Sequence, residues 1–189
     1  EVIEDHLSPQ REGRRPRPTK EMIVTAYNQQ VQEINERFRR SETPLTLHNG
    51  FIQITREPLS EARIAEPFWK LVADPIWNNV DWDMKEAIDL RDSGGKDPAF
   101  HASKALESTI KIISDEQNWT IGNEKGAANY IDNLLSKKNG RFIDQWENEL
   151  LKEFFKKVRN PAGHGPGSDP MPQLNKYQTD WAINNAMTW

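Results

Sequence analysis

Regular spacing of apolar residues begins at Thr19 and is absent from the residues before it. Residues 1–18 mix charged side chains with three prolines, which predicts a flexible, basic and proline-rich tail. Thr19 can cap a helix over residues 20–40, where apolar side chains recur at three- and four-residue steps and form one stripe. The members of that stripe are Ile23, Tyr27, Val31, Ile34 and Phe38.

The pattern changes from helical to alternating directly after this helix. Leu45 and Leu47 alternate with polar residues, and Asn49-Gly50 is a pair typical of two-residue hairpin turns. Another apolar run follows the turn, so we expect a small β-hairpin. After Pro58 the spacing is helical to the end of the chain, which predicts a mainly α protein with one hairpin.

Several helical patterns follow in the second half of the chain. Asp83 begins a capping-box spacing, and Asp97-Pro98 combines a preferred N-cap residue with proline at the first helical position. Further helices are predicted over about residues 124–137 and 141–158, and another begins near Gln173. In the helix over 141–158 we expect one inward stripe, formed by Phe142, Trp146, Leu150, Phe154 and Val158.

These patterns divide the chain into three parts. We predict a tail over residues 1–18, a helix–hairpin–helix extension over 19–80, and a helical bundle with short connections over 81–189. The seven Trp and seven Phe residues supply the large side chains that a compact core needs.

Composition narrows the function classes. The 189 residues carry 25 Lys and Arg against 29 Asp and Glu, a formal net charge of −4, so nucleic acid would have to bind a local patch. The absence of cysteine excludes disulfides, cysteine-ligated zinc and thiol nucleophiles. No uncharged apolar run approaches the ~18 residues of a membrane span, so we expect a soluble, cytoplasmic protein that does not contact membrane. No cofactor-binding motif is present, and no metal site is expected because Asp83 is assigned as a helix cap.

One stretch, residues 156–170, combines groups that can perform acid–base chemistry. Arg159-Asn160 is predicted to end the preceding helix, because Pro161 biases Asn160 away from the α region. Arginine offers a planar fork for phosphate, and His164 titrates near neutrality. Cleavage of RNA without metal needs such a fixed cation and a group that transfers protons at the 2′-OH and the leaving oxygen.

The same residues also have a purely structural interpretation. Lys156, Lys157 and Arg159 in a last helical turn complement the helix dipole whatever the function. Asn160 can serve as a cap, and a histidine in a glycine-rich loop is commonly idle. If the protein binds RNA, Lys156 and Lys157 belong to the basic strip that can contact phosphates.

Arg159-Asn160-x-x-x-His164 resembles the R-N-x-x-x-H signature of the HEPN superfamily. The segment HASKALESTIK, residues 101–111, is similar to a helix of the HEPN-type C-terminal domains of prokaryotic abortive-infection proteins. The resemblance covers about residues 81–189. It implies a HEPN-like bundle of about four to five helices that dimerises and brings two motifs together in one cleft.

The resemblance also implies an activity. Many members are metal-independent endoribonucleases of phage defence or toxin–antitoxin systems in prokaryotic cytoplasm, and need no cofactor. In that reading His164 is the acid/base, Arg159 stabilises the scissile phosphate and Asn160 orients the reacting groups. Products carry 2′,3′-cyclic phosphate ends, and the expected partners are RNA, a second copy of the chain, and an antitoxin or phage-derived trigger. The alternative is a non-catalytic module for dimerisation and for binding RNA or protein.

The helix that contains residues 101–111 supplies candidate supporting residues. His101, Lys104 and Glu107 lie on its polar side, and Glu107 is expected to pair with Arg159 or to tune His164. The alternative is an ordinary solvated face, on which Glu107 pairs only with Lys104 and Lys111 within the helix.

Overall fold

A computed structural model describes residues 17–163 and 173–189, and over them the protein is mainly helical with one two-stranded antiparallel sheet. The mainly α fold with a small hairpin is therefore confirmed. Most of the predicted tail lies outside the described residues. Within those two ranges, no helix has both the length and the apolar character needed to cross a membrane.

The first helix, α1, spans Lys20–Arg40, and the Thr19 hydroxyl accepts a hydrogen bond from the Met22 amide as predicted. Among the described residues, no other element covers its predicted apolar stripe over most of its length, and no residue of α1 is buried. The side chain of Asn35 attaches the helix to the hairpin, donating to the Leu47 carbonyl at 3.1 Å and accepting from the Leu47 amide at 2.8 Å.

The hairpin consists of β1, Leu45–His48, and β2, Phe51–Ile54. Its turn residues Asn49 and Gly50 both have positive φ, 45° and 74°, which is the conformation that a two-residue turn of this kind requires. The turn chemistry of the sequence therefore decided this element locally.

A buried polar network joins the hairpin to the next helical segment, which comprises α2, Pro58–Ser60, a π-helical turn, Glu61–Ala65, and α3, Glu66–Leu71. Glu61 accepts from the Gln53 amide at 2.7 Å and lies 2.5 Å from His48 Nε2. Trp69, which is 1% exposed, donates its indole N–H to Gln53.

Five helices form the main part of the bundle: α4, Asn78–Ser93; α5, Pro98–Glu116; α6, Ala127–Leu135; α7, Gln145–Phe154; and α9, Lys176–Thr188. The central helix is α5, which packs against α4, α6, α9 and the segment after α7. Ala102, Leu106 and Ile110 of α5 lie in the core, where they contribute to one continuous apolar cluster.

Two predicted helix boundaries are wrong. Asp83 does not cap a helix: α4 already begins at Asn78 after a short 3-10 turn, and Asp83 is a buried residue in its middle. Arg159-Asn160 does not end a helix either. The chain continues from α7 through a π-helical turn, Phe155–Arg159, into α8, Asn160–Gly163, with Asn160 itself in the α region.

The π turn explains how the helix passes Pro161. Proline in an α-helix loses one backbone hydrogen bond, and its ring clashes with the carbonyl four residues earlier. The π turn widens the helix at this point, and the Asn160 amide bonds the Phe155 carbonyl five residues back. We attribute the continued helix to this wider turn, which accommodates the proline ring.

The predicted inward stripe of α7 is also wrong in part. Trp146 and Leu150 are 62% and 45% exposed, whereas Leu151, Phe154 and Phe155 are buried. Phe142 precedes the helix and is exposed as well. Both sets of residues fit a helical repeat, and the packing of α7 on α6 and of the following π turn on α5 selects the second.

Candidate active site at the end of the α7 segment

Arg159 is the last residue of the π turn and is directed toward α5. Its Nη2 lies 3.1 Å from Oε2 of Glu107, and the two side chains are 31% and 11% exposed. Phe155 anchors the beginning of the turn in the core. A π turn adds one residue to a helical turn and so changes the direction of the side chains after it, which is why such turns are frequent at functional sites.

The carboxylate of Glu107 is shared by two cations. Its other oxygen, Oε1, lies 2.9 Å from Nζ of Lys111, one turn later on α5. The Lys111 ammonium in turn lies 5.7 Å from the ring centroid of Tyr130 on α6. The arrangement combines both interpretations of the sequence, since Glu107 pairs within its own helix and also with Arg159. It fixes one edge of the Arg159 guanidinium.

A further nitrogen of Arg159 is buried without a partner. Among the described residues, its Nε–H has no hydrogen-bond partner. A buried donor without an acceptor costs free energy, and an anion that engages this guanidinium would recover part of that cost. The arginine is therefore held by Glu107 and retains hydrogen-bonding capacity for a phosphate oxygen.

The neighbouring candidate residues face solvent. Asn160 is exposed, as are Lys156 and Lys157, whose ammonium groups lie 3.5 and 3.8 Å from the carboxylate of Glu153. These positions leave Asn160 accessible to a ligand at the surface beside Arg159. His164 lies outside the described residues.

Lys104 and His101 belong to a different cluster, centred on Asp83. Nζ of Lys104 lies 2.7 Å from Oδ1 of Asp83, and Nδ1 of His101 lies 3.9 Å from the same oxygen. The Lys104 ammonium is also 5.8 Å from the ring centroid of Trp82. In contrast to Glu107, neither side chain contacts Arg159, so the structure divides the three predicted supporting residues between two clusters.

Asp83 is the residue of this cluster that sequence reasoning missed. A usable signal was present, because Val80, Met84, Ala87 and Ile88 recur at helical spacing and place Asp83 at the edge of the buried face of α4. The capping-box spacing at Asp83 favoured the assignment of this residue as a helix cap, and its buried position was therefore not predicted. Among the described residues, no group of three or more His, Cys, Asp or Glu side chains is arranged to hold a metal ion.

The helical bundle is consistent with a HEPN-like fold. The family model of Abi_C, a HEPN-like domain, matches residues 79–189, more than half of the chain. The protein therefore belongs to the Abi_C family of HEPN-like domains found in abortive-infection proteins, which confirms the resemblance seen in the sequence. No curated protein matches the chain, and no solved structure does.

Proposed function

We propose that this protein is a metal-independent endoribonuclease of an abortive-infection or toxin–antitoxin system. The family indicates a role related to abortive infection. The observation that carries the finer proposal is the ion pair between Glu107 and Arg159, which holds a phosphate-binding side chain in the helix that leads to His164. Arginine fixed in this way can stabilise charge on phosphorus without reorganising during the reaction.

In the proposed reaction His164 removes the proton from a 2′-OH, and the resulting oxygen attacks the adjacent phosphorus. Arg159 stabilises the negative charge that develops on the phosphoryl oxygens, and Asn160 orients the reacting groups. The bond to the 5′-oxygen breaks, and that oxygen takes up a proton. The products are a 2′,3′-cyclic phosphate and a 5′-OH end.

A homodimer would divide the two proton transfers between two copies of His164 across a two-fold axis. Exposed apolar residues on α7 and α9 support self-association. Trp146, Leu150 and Trp181 are each at least 45% exposed, and Trp181 contacts the ring of Phe154 with the centroids 5.9 Å apart. Size-exclusion chromatography with light scattering gives the oligomeric state directly.

The test is cleavage of bulk tRNA and a structured mRNA by the pure protein in EDTA. Wild type, Arg159→Ala and His164→Ala are compared, with Lys138→Ala as an exposed control outside the site. We expect cleavage by wild type and the control only, and cyclic phosphate at the 3′ ends of the fragments. Strict dependence on Mg²⁺ would exclude the proposed mechanism.

A second candidate function is a non-catalytic module that dimerises and binds RNA or protein. The exposed apolar residues of α7 and α9 favour it, because such a surface serves binding as well as catalysis. In this case His164→Ala leaves function intact and Trp146→Glu abolishes it. A folded dimer that does not cleave RNA alone, but does so when an antitoxin is removed or a phage-derived trigger is added, points back to the enzyme.

A further inference from the structure

A cleft of about 970 Å³ opens between the α4–α5 loop, the π turn with α8 that follows α7, and the start of α9. Its charge differs from that of the whole chain, which is acidic. Five basic side chains line it against two acidic ones, Asp92 and Asp97, although the formal net charge of the protein is −4. The basic residues are Arg56, Arg91, Lys96, Lys157 and Lys176.

The two arginines are neutralised within the protein. Arg56 and Arg91 lie 3.0 and 2.9 Å from Oδ1 of Asp92. Asp180 adds a second carboxylate, 3.7 and 3.9 Å from the same two guanidinium groups. Burial raises the pKa of Asp92, but the hydrogen bonds from both arginines outweigh it and hold this pKa below the ordinary value. Asp92 is therefore charged at neutral pH. Together with Asp180 it compensates the two guanidinium groups, so the surplus positive charge of the cleft rests on its lysines.

The three lysines come from three different elements and converge on the same cleft. Lys96 lies in the α4–α5 loop, Lys157 in the π turn, and Lys176 at the first position of α9. Within the described residues, Lys96 and Lys176 form no ion pair, and Lys157 has only a 3.8 Å contact with Glu153. Ammonium groups without fixed partners are free to bind phosphates.

The cleft adjoins the candidate active site. Val158 and Pro161, on either side of the Arg-Asn pair, are part of its wall. Phe100 is also in the wall of the cleft. Glu107 follows it on the same face of α5, seven residues or about two helical turns further along the chain. A strand that occupied the cleft would therefore lie against the helical turn that carries Arg159.

We propose that this lysine cleft, formed by Lys96, Lys157 and Lys176, binds the phosphodiester backbone of the RNA substrate next to the cleavage site. It explains how an acidic protein holds a polyanion, because the positive charge is concentrated where the strand must lie. The inference rests on the proposed ribonuclease function, because that function makes RNA the ligand. Binding itself is measured without cleavage.

The experiment uses the full chain and a fluorescein-labelled single-stranded RNA carrying 2′-O-methyl groups at every position, which cannot form a cyclic phosphate. Anisotropy gives Kd over a series of salt concentrations. The test variant is Lys96→Ala/Lys176→Ala, and the matched control is Lys137→Ala/Lys138→Ala, which removes the same charge from two exposed lysines outside the cleft. Circular dichroism and thermal unfolding verify that both variants fold.

We expect the cleft variant to bind on the order of 20-fold more weakly than wild type at ~0.1 M salt. The negative slope of the logarithm of the association constant against log salt should be less steep by about 1.4, because two phosphate contacts are lost. The control should bind like wild type. Equal losses in both variants would mean that net charge alone matters and would overturn the cleft, as would the absence of any binding. If the cleft variant loses binding but wild type cleaves no ordinary RNA, the cleft stands and the ribonuclease proposal fails.

Discussion

Arg159 and Glu107 form a 3.1 Å ion pair between the π turn and the central helix α5. The pair connects two segments that are remote in the sequence and on which the resemblance to the family was based. Because Glu107 also holds Lys111, its carboxylate is fixed from both sides, and the guanidinium is oriented before any substrate arrives. In the proposed ribonuclease this ion pair positions Arg159, and its removal should affect catalysis more than folding.

Glu107→Gln tests this positioning role. We expect kcat for RNA cleavage to fall roughly ten- to hundredfold, with KM little changed, because a misplaced cation stabilises the transition state less well. Steady-state kinetics on a short labelled RNA measure both constants. Glu116→Gln, an exposed position near the end of the same helix, is the control and should match wild type.

A double variant makes the test more specific. Since Glu107 acts through Arg159, combining Glu107→Gln with Arg159→Ala should be no worse than Arg159→Ala alone. Additive losses would show that Glu107 acts independently of the arginine. A fall in stability that accounts for the lost activity would reduce Glu107 to a structural residue.

Asp83→Asn tests the cluster that the sequence did not predict. Asp83 is 6% exposed and receives the Lys104 ammonium at 2.7 Å, so neutralising it removes a charge-assisted hydrogen bond. We expect a loss of about 1–2 kcal/mol in the free energy of unfolding, reduced from fully buried cases because Lys104 is 37% exposed. Urea denaturation measures it.

Asp89→Asn, at an exposed position of the same helix, should change the free energy of unfolding by less than about 0.5 kcal/mol. Equal effects of the two substitutions would mean that the Asp83 cluster does not contribute to stability.

Leu151→Ala and Leu150→Ala compare adjacent positions on α7. Leu151 is 1% exposed, so its truncation should cost about 2–5 kcal/mol. Leu150 is 45% exposed and should cost less than about 1 kcal/mol in a monomer. Guanidinium unfolding of both variants checks which face of α7 is buried. A larger loss in the free energy of unfolding for Leu150→Ala than for Leu151→Ala would support the inward stripe that the sequence pattern predicts.

Glu124 makes a pH prediction. Hydrogen bonds from the Ile121 amide and then from the Asn133 side chain lower its pKa from 4.5 to about 2. A lowered folded-state pKa stabilises the protein above the unfolded value, and the contribution is lost as the pH falls from about 4.5 to 2.

Thermal unfolding of wild type and Glu124→Gln should therefore differ at pH 7, with wild type more stable, and converge in that acidic window. The exposed control Glu116→Gln should have the same midpoint temperature of unfolding as wild type at pH 7. A difference between wild type and Glu124→Gln that stayed constant down to pH 2 would contradict the assignment.

Much of the architecture could be read from local sequence. Thr19 caps α1 and Asn49-Gly50 forms the turn of the hairpin, both as the spacing predicts. The physical reason is that caps and turns depend on backbone groups within a few residues. The family was equally visible, because the resemblance rests on strings of residue types, and the family model confirms it.

The sequence by itself determined which segments are helical, where the hairpin turns, and which residue types lie at the site. Only the tertiary structure decided that Leu151 and not Leu150 faces the core, that Asp83 is buried, and that Lys104 joins Asp83 while Glu107 joins Arg159. A helical repeat tolerates more than one buried face, and a polar residue can cap, pair or face water. Packing against α5 selects among these options, because only the neighbouring helix determines which side chains lose water and which charges find partners.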